Sequence, residues 1–238
     1  MVYNRTLSIQ SILFPPKCLI CGAPGEEGLD LCSDCRDDLP LNHVACPVCA
    51  SPLASQTSAT TSCGHCQQEP PPFERSLSPY LFTDMISRLV GRFKFNGELY
   101  CGELLSQLLY QEIEASRYEM PDLIIPVPLH ASRLRERGFN QALELARPLA
   151  KGFSIKLDHS TLQRIKATPH QIGLHRNERR RNVKGAFEIR GKIKADHVAL
   201  VDDVITTGST LREIAGVLKR SGVSRIDVWA LAKTPTHN

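Results

Sequence analysis

The sequence predicts an α/β protein with a parallel sheet, preceded by a small metal-binding head. Three observations carry this prediction. Apolar patterns typical of buried strands alternate with helical patterns over the carboxyl-terminal part of the chain, as in successive β-α units. Four C-x-x-C pairs crowd the amino-terminal third. Between these regions, residues 67–76 read QQEPPPFERS, and three consecutive prolines favour a stiff, extended connector. A boundary here gives a head of residues 1–70 and a body of residues 71–238.

The cysteines of the head indicate metal binding. Eight of the nine cysteines lie in C-x-x-C pairs, a spacing that lets two thiolates bind one metal ion from a single turn. Few large apolar residues are present, so metal ligation would supply folding free energy that so small a core cannot. A redox-active dithiol is the weaker reading, because no βαβ pattern surrounds the pairs. The sequence therefore predicts two structural Zn²⁺ ions.

The pairing of the cysteines has two solutions. Sequential pairs can share a zinc ion, or the first pair can combine with the third. Short loops favour the sequential solution, and eight thiols make His43 and His65 unnecessary as ligands. The sequential sets are Cys18, Cys21, Cys32 and Cys35 for the first zinc, and Cys46, Cys49, Cys63 and Cys66 for the second.

The body shows its elements in alternating order. Apolar residues at helical spacing, and continuous apolar runs between them, mark the helices and strands. Pro148 should shorten or kink the third helix, and Gly222 should close the last one. The predicted helices cover 85–93, 99–113, 139–150 and 209–221. The predicted strands cover 122–128, 162–165, 198–201 and 225–232.

One strand leads into a candidate ligand site. Residues 198–210 read VALVDDVITTGST, and the carboxyl ends of parallel strands are where such sheets bind ligands. Backbone N–H groups entering the next helix can hold a phosphate, whereas carboxylates repel phosphate but accept hydrogen bonds from a diol. A sugar phosphate satisfies both. Its hydroxyls would lie on Asp202 and Asp203, and its phosphate on the loop residues Thr206, Thr207, Gly208, Ser209 and Thr210.

The same thirteen residues resemble the motif that binds phosphoribosyl pyrophosphate (PRPP) in type I phosphoribosyltransferases. The resemblance implies a phosphoribosyltransferase-like fold for the body. It also implies that Asp202 and Asp203 are catalytic residues that bind the ribose hydroxyls, while the loop binds the 5-phosphate. In that family, Mg²⁺ bridges the pyrophosphate and the ribose.

Two basic stretches follow the same resemblance. Residues 124–142 match a pyrophosphate-contacting loop, and residues 164–187 match a mobile hood loop that closes over the ribose. The arginine run at 179–181 fits a solvated basic face equally well. The residues expected to contact the ligand are Arg133, Arg137, Asn140, Gln141, Gln171, Arg176 and Asn182.

Taken together, these stretches resemble one family in particular. The patterns P-V-P-L-H, R-G-F-N-Q-A and V-D-D-V-x-T-T-G-S-T, the F-K-F-N-G at 93–97 and the four cysteine pairs are similar to those of the ComF family. That family joins a double zinc ribbon to a phosphoribosyltransferase-like domain. The resemblance spans residues 18–235, and it implies a role in natural competence and in the uptake or use of external DNA.

Three functions remain open at this point. The chain can be a DNA-uptake factor that binds PRPP or single-stranded DNA, a transferase acting on a nucleobase or an amine, or a PRPP-sensing regulator without turnover. Residues 126–190 carry fourteen basic and five acidic side chains, which favours a polyanionic partner, although aromatic residues for stacking are sparse. No apolar run approaches the ~20 residues of a membrane span. We expect a cytoplasmic protein, or one peripheral to the inner face of the membrane, that meets the DNA-uptake machinery there.

Overall fold

A parallel sheet forms the centre of the protein. The computed structural model describes residues 15–54, 61–167 and 181–235. Its strands are β1 (Arg75–Leu77), β2 (Tyr80–Leu81), β3 (Leu123–Pro126), β4 (Lys156–Leu157), β5 (Leu162–Arg164), β6 (Phe187–Ile189), β7 (His197–Ile205) and β8 (Arg225–Lys233). Six of them form one sheet in the order β1-β8-β7-β3-β4, with β2 also paired to β8. Every pairing in this sheet is parallel, which confirms the predicted fold class.

In addition to the helical residues 181–183, seven helices accompany the strands in the described part of the chain. They are α1 (Ser33–Asp37), α2 (Gly64–Gln68), α3 (Asp84–Asn96), α4 (Leu99–Ser116), α5 (Ala131–Arg137), α6 (Gln141–Phe153) and α7 (Ser209–Arg220). The expected shortening of α6 at Pro148 is wrong, because the helix continues to Phe153. Its buried stripe, which includes Leu145 and Leu149, packs on α4 and β7 and outweighs the hydrogen bond that the proline removes.

Both faces of the sheet are covered. Along β7, Ala199 and Val201 belong to the core beneath α3, α4 and α6, whereas Val198 and Leu200 belong to the core beneath α7. Alternate residues of a strand point to opposite faces, so each core takes every second side chain. Continuous burial explains why the strand reads as an unbroken apolar run.

Three local predictions need correction. The strand predicted at 162–165 is β5, but it pairs antiparallel with β6 and lies outside the main sheet. Residues 131–137 form helix α5 where a loop was expected. The predicted connector at 67–76 overlaps β1, whose Arg75 pairs with Asp227 of β8. The domain boundary after residue 70 stays a prediction.

The cysteine-rich head packs on the body. Leu29, Leu31 and Leu39 are buried in the same core cluster as α3 and α4. The Arg92 guanidinium of α3 donates to the Leu19 carbonyl over 2.6 Å. The head therefore supports the helix that leads to the ligand site. Within the described ranges, no helix has the length and apolar character required to cross a bilayer.

Candidate ligand site and metal centres

The acidic pair lies inside a strand rather than after one. The predicted strand at 198–201 extends to Ile205, so Asp202 and Asp203 belong to β7. β8 remains paired with β7 as far as Ile205, whereas the β3 pairing ends at Val201. β7 thus carries the two carboxylates past the end of its neighbour β3, at the carboxyl edge where parallel sheets bind ligands.

Each carboxylate has a cation nearby. The Lys94 ammonium at the end of α3 lies 2.5 Å from Asp203 Oδ2, and these side chains are 20% and 11% exposed. Arg164, at the end of β5, lies close to Asp202 and Arg133. Burial and the charge of Arg133 lower the pKa of Arg164, and the charge of Asp202 opposes this effect. The Lys94 charge also lowers the pKa of Asp202, so this lysine acts on both carboxylates.

Backbone N–H groups hold the carboxylates in place. Asp202 Oδ1 accepts from Asp203 N at 2.9 Å, and Asp203 Oδ1 accepts from Val204 N at 2.8 Å. Burial, and then the neighbouring Asp203 charge, raise the pKa of Asp202 to about 8. The oxygen atoms not engaged by these groups can accept hydrogen bonds from hydroxyl groups of a ligand.

The loop after β7 has the form of an anion site. Gly208 takes a φ of 74°, a left-handed conformation that glycine adopts without strain, and α7 begins at Ser209. The Thr207 and Ser209 hydroxyls lie 2.9 Å apart. The buried Lys233 of β8 donates to the Thr206 carbonyl, and this hydrogen bond holds the start of the loop against β8. The first turn of α7 offers backbone N–H groups, and its dipole favours an anion there.

The R-G-F-N-Q stretch is built around a helix start. Asn140 caps α6, since its Oδ1 accepts from Ala142 N at 3.1 Å and its Nδ2 donates to the Val127 carbonyl. Arg137 donates to the buried Gln141 over 3.0 Å. These residues therefore have structural roles, and their contact with a ligand stays a prediction.

The hood residues are described only in part. Asn182 is half-buried, while Gln171 and Arg176 lie outside the described residues. The hood therefore stays a prediction as well.

The cysteines form two clusters of four. The first contains Cys18, Cys21, Cys32 and Cys35, and the second contains Cys46, Cys49, Cys63 and Cys66; within each, the sulfur atoms all lie within 4.8 Å of one another. Across the first cluster, Cys21 Sγ lies 3.6 Å from Cys32 Sγ, and across the second, Cys49 Sγ lies 3.6 Å from Cys63 Sγ. A disulfide requires about 2.05 Å, whereas four thiolates around one zinc lie about 3.8 Å apart. Each cluster draws on consecutive pairs and fits one structural zinc ion.

Comparison with known proteins identifies the family. A family model described as "Double zinc ribbon domain" matches residues 9–67. The "DNA utilization protein YhgH" of Salmonella typhimurium is 36% identical over 225 residues, covering 92% of this chain and 98% of the relative. "Competence protein F" of Haemophilus influenzae is 35% identical over 210 residues, covering 85% and 90%. The chain belongs to the ComF family. A solved purine phosphoribosyltransferase from Pyrococcus horikoshii aligns with 55% of this chain and 71% of its own, at 20% identity and a TM-score of 0.35.

The two ribbons of this ComF protein are structural repeats. In the first, Cys18 N donates to Ala23 O and Gly22 N to Cys18 O; in the second, Cys46 N donates to Ser51 O and Ala50 N to Cys46 O. The remaining two thiols of each cluster lie at the start of a short helix: Cys32 and Cys63 are at the N-cap positions, and Cys35 and Cys66 are inside the helices. His65 contacts Arg212 and lies outside both clusters, as eight thiols predict.

Three residues of the candidate ligand site were missed by the sequence reasoning. Lys94 lies in the F-K-F-N-G stretch, which was read only as a family pattern. Arg164 opens the second basic stretch but was not selected from it. Lys233 ends the apolar strand β8, and no motif in the sequence marked it as part of the candidate site. Each reaches the site through packing between elements that are distant in sequence.

Proposed function

We propose that this ComF protein acts in the uptake or use of external DNA and that its body binds PRPP or a related ribose phosphate. The process is supported by relatives named for DNA utilisation and competence, which match almost the whole chain. The ligand is supported by one observation above all: the acidic pair of β7 is followed by a glycine-containing loop and a helix start, an arrangement that can hold an anion.

The two halves of this site suit the two ends of a ribose phosphate. Ribose hydroxyls would donate to Asp202 and Asp203, whose oxygen atoms lie at the carboxyl edge of the sheet. The 5-phosphate would accept hydrogen bonds from the loop at Thr206–Thr210, where the first turn of α7 favours an anion. Arg164, which interacts with the charge of Asp202, and Arg133, which interacts with Arg164, would supply positive charge toward a pyrophosphate group.

The acidic pair is better suited to hydroxyl donors than to a metal ion of its own. Lys94 and a backbone N–H face the two oxygens of Asp203, and within the described residues only the cysteine clusters gather three or more metal-ligating side chains. When bound with PRPP, Mg²⁺ would neutralise charge on the pyrophosphate. The ligand's own oxygens would carry that ion, while Asp202 and Asp203 would orient the ribose.

The wider role follows from the same proposal. Single-stranded DNA and the DNA-uptake machinery are the proposed partners, and the cytoplasm, or the inner face of the membrane, is the proposed location. The net charge of residues 126–190 favours a polyanion near the ligand site. Transfer of the phosphoribosyl group to an acceptor and sensing of PRPP both require the same acidic pair.

Calorimetric titration with PRPP and Mg²⁺ tests the ligand. The double variant Asp202→Asn/Asp203→Asn should weaken binding by about 10- to 100-fold, since hydrogen bonds to charged groups contribute about 1.5–3 kcal/mol. Glu103→Gln removes a charge from the exposed face of α4 and should leave binding unchanged. Unaltered affinity in the double variant, or no binding by the unchanged protein, would refute the proposed ligand.

The proposed process needs a test in cells. Deleting the gene should abolish growth on external DNA or its uptake, and the unchanged gene should restore it. The double aspartate variant should fail to restore it. Full rescue by that variant would show that the uptake or use of DNA does not depend on the acidic pair.

A further inference from the structure

The ammonium of Lys94 forms a partly buried ion pair with Asp203. Lys94 Nζ lies 2.5 Å from Asp203 Oδ2 while Asp203 Oδ1 accepts from Val204 N, so an ammonium faces one oxygen and a backbone hydrogen bond holds the other. The lysine side chain is only 20% exposed, far less than is usual for lysine on a helix surface. This burial indicates that the ion pair is a fixed feature of the site.

The helix end that carries Lys94 is anchored by the residue before it. Phe93 is fully buried, and its ring centroid lies 5.3 Å from that of Phe139 in the R-G-F-N-Q stretch. On the other side of Lys94, Phe95 is 72% exposed, and the Arg137 guanidinium lies 5.6 Å from the centroid of its ring. The buried Phe93 thus fixes the backbone next to Lys94, whose ammonium contacts β7.

The charges around the acidic pair explain what this lysine does. Asp202 and Asp203 are adjacent on β7, and like charges this close oppose each other's ionisation. The charged groups facing them are Lys94 from α3 and Arg164 from β5, with Arg133 of α5 beside Arg164. Removal of the Lys94 charge would leave Asp203 next to a second carboxylate with no ammonium partner.

We propose that Lys94 is a positioning residue of the ribose site: its ammonium holds the Asp203 carboxylate in the orientation that accepts ribose hydroxyls and offsets the repulsion within the acidic pair. This inference rests on the proposed ribose phosphate ligand and adds a residue outside the PRPP-like motif. It also gives the F-K-F-N-G stretch a chemical role.

The experiment compares three variants of the full chain. Lys94→Met removes the charge and keeps the shape of the side chain, whereas Lys94→Arg keeps the charge. Arg88→Gln is the matched control, because it removes a positive charge from an exposed position on the same helix. Two measurements are made: the pH titration of the aspartate carboxyl groups in the free protein by ¹³C NMR, and the affinity for ribose 5-phosphate as a function of pH without added divalent metal.

Removing the charge should move both measurements in the same direction. In Lys94→Met, the titration of the acidic pair should move upward by about one to three pH units, because an opposite charge at this range lowers a carboxyl pKa by that amount. Affinity for ribose 5-phosphate at pH 7 should fall by about tenfold or more and recover toward higher pH. Lys94→Arg should restore both, and Arg88→Gln should match the unchanged protein.

The outcomes separate this inference from the proposed function. An unchanged carboxyl titration in Lys94→Met overturns the role of Lys94, whatever the ligand. A shifted titration with unchanged affinity also overturns it, because the charge would then not matter to binding. If the unchanged protein binds neither ribose 5-phosphate nor PRPP, the proposed ligand fails, and the carboxyl titration alone still decides whether Lys94 sets the charge of the pair.

Discussion

A pair of glycine substitutions tests how tightly the helix end at the ligand site is packed. Gly102 of α4 faces Phe93 of α3, and a Cβ placed on it would lie 2.5 Å from Phe93 Cε2. The ring would have to move by about 0.9 Å to reach ordinary contact at 3.4 Å. Such overpacking costs about 1–3 kcal/mol. Gly91 of α3 is also inside a helix, but a Cβ there meets no atom within 4 Å.

Both substitutions gain the higher helix propensity of alanine, so this gain cancels when the unfolding free energies of the two variants are compared. Alanine stabilises a helix interior by about 0.5–1 kcal/mol relative to glycine. Gly91→Ala should therefore raise the free energy of unfolding by that amount. The free energy of unfolding of Gly102→Ala should be lower than that of Gly91→Ala by about 1–3 kcal/mol, which is the cost of displacing the Phe93 ring.

Urea unfolding followed by tryptophan fluorescence measures both values. The single tryptophan, Trp229, is buried in the same core cluster as Phe93 and reports on it directly. Equal stability of the two alanine variants, within about 0.3 kcal/mol, would refute the close packing of α3 on α4. Because Phe93 precedes Lys94, Gly102→Ala should also weaken ribose 5-phosphate binding, whereas Gly91→Ala should not.

Three further predictions concern the acidic pair, the buried Asp227 and the zinc sites. The pKa of Asp202 is raised to about 8, so the folded chain holds this proton while the unfolded chain has lost it, and stability falls as the pH rises from about 4 to 8. Asp202→Asn should therefore raise the Tm more at pH 8 than at pH 5; an equal gain at both would contradict the raised pKa. Asp227 is almost fully buried and contacts Arg75, His197 and Arg225, so Asp227→Ala should cost about 3–5 kcal/mol in urea unfolding, and a loss under about 1 kcal/mol would be inconsistent with this network. Cys46→Ser should lower the zinc content from two ions to one per chain by metal analysis, whereas Cys101→Ala, outside both clusters, should retain two.

The local patterns of the sequence predicted a large part of the fold. The strands and helices after residue 84 lie close to their predicted positions, because buried strands and amphipathic helices leave periodic signals within a single segment. β5 was misassigned to the main sheet, since a short apolar run carries no information about its partner strand. Helix α5 was missed because its seven residues are rich in arginine and none is buried.

The sequence by itself determined the metal clusters and the central motif of the ligand site. C-x-x-C spacing brings two thiols together within one turn, and a strand, loop and helix in direct succession place Asp202 and Asp203 beside Gly208 without help from elsewhere. Only the tertiary structure decided which cations face this motif. Lys94 and Arg164 come from elements far away in the chain, and they reach the acidic pair because α3 packs on one face of the sheet and β5 on the other. Their positions depend on the packing of many side chains at once, so no short stretch of sequence can predict them.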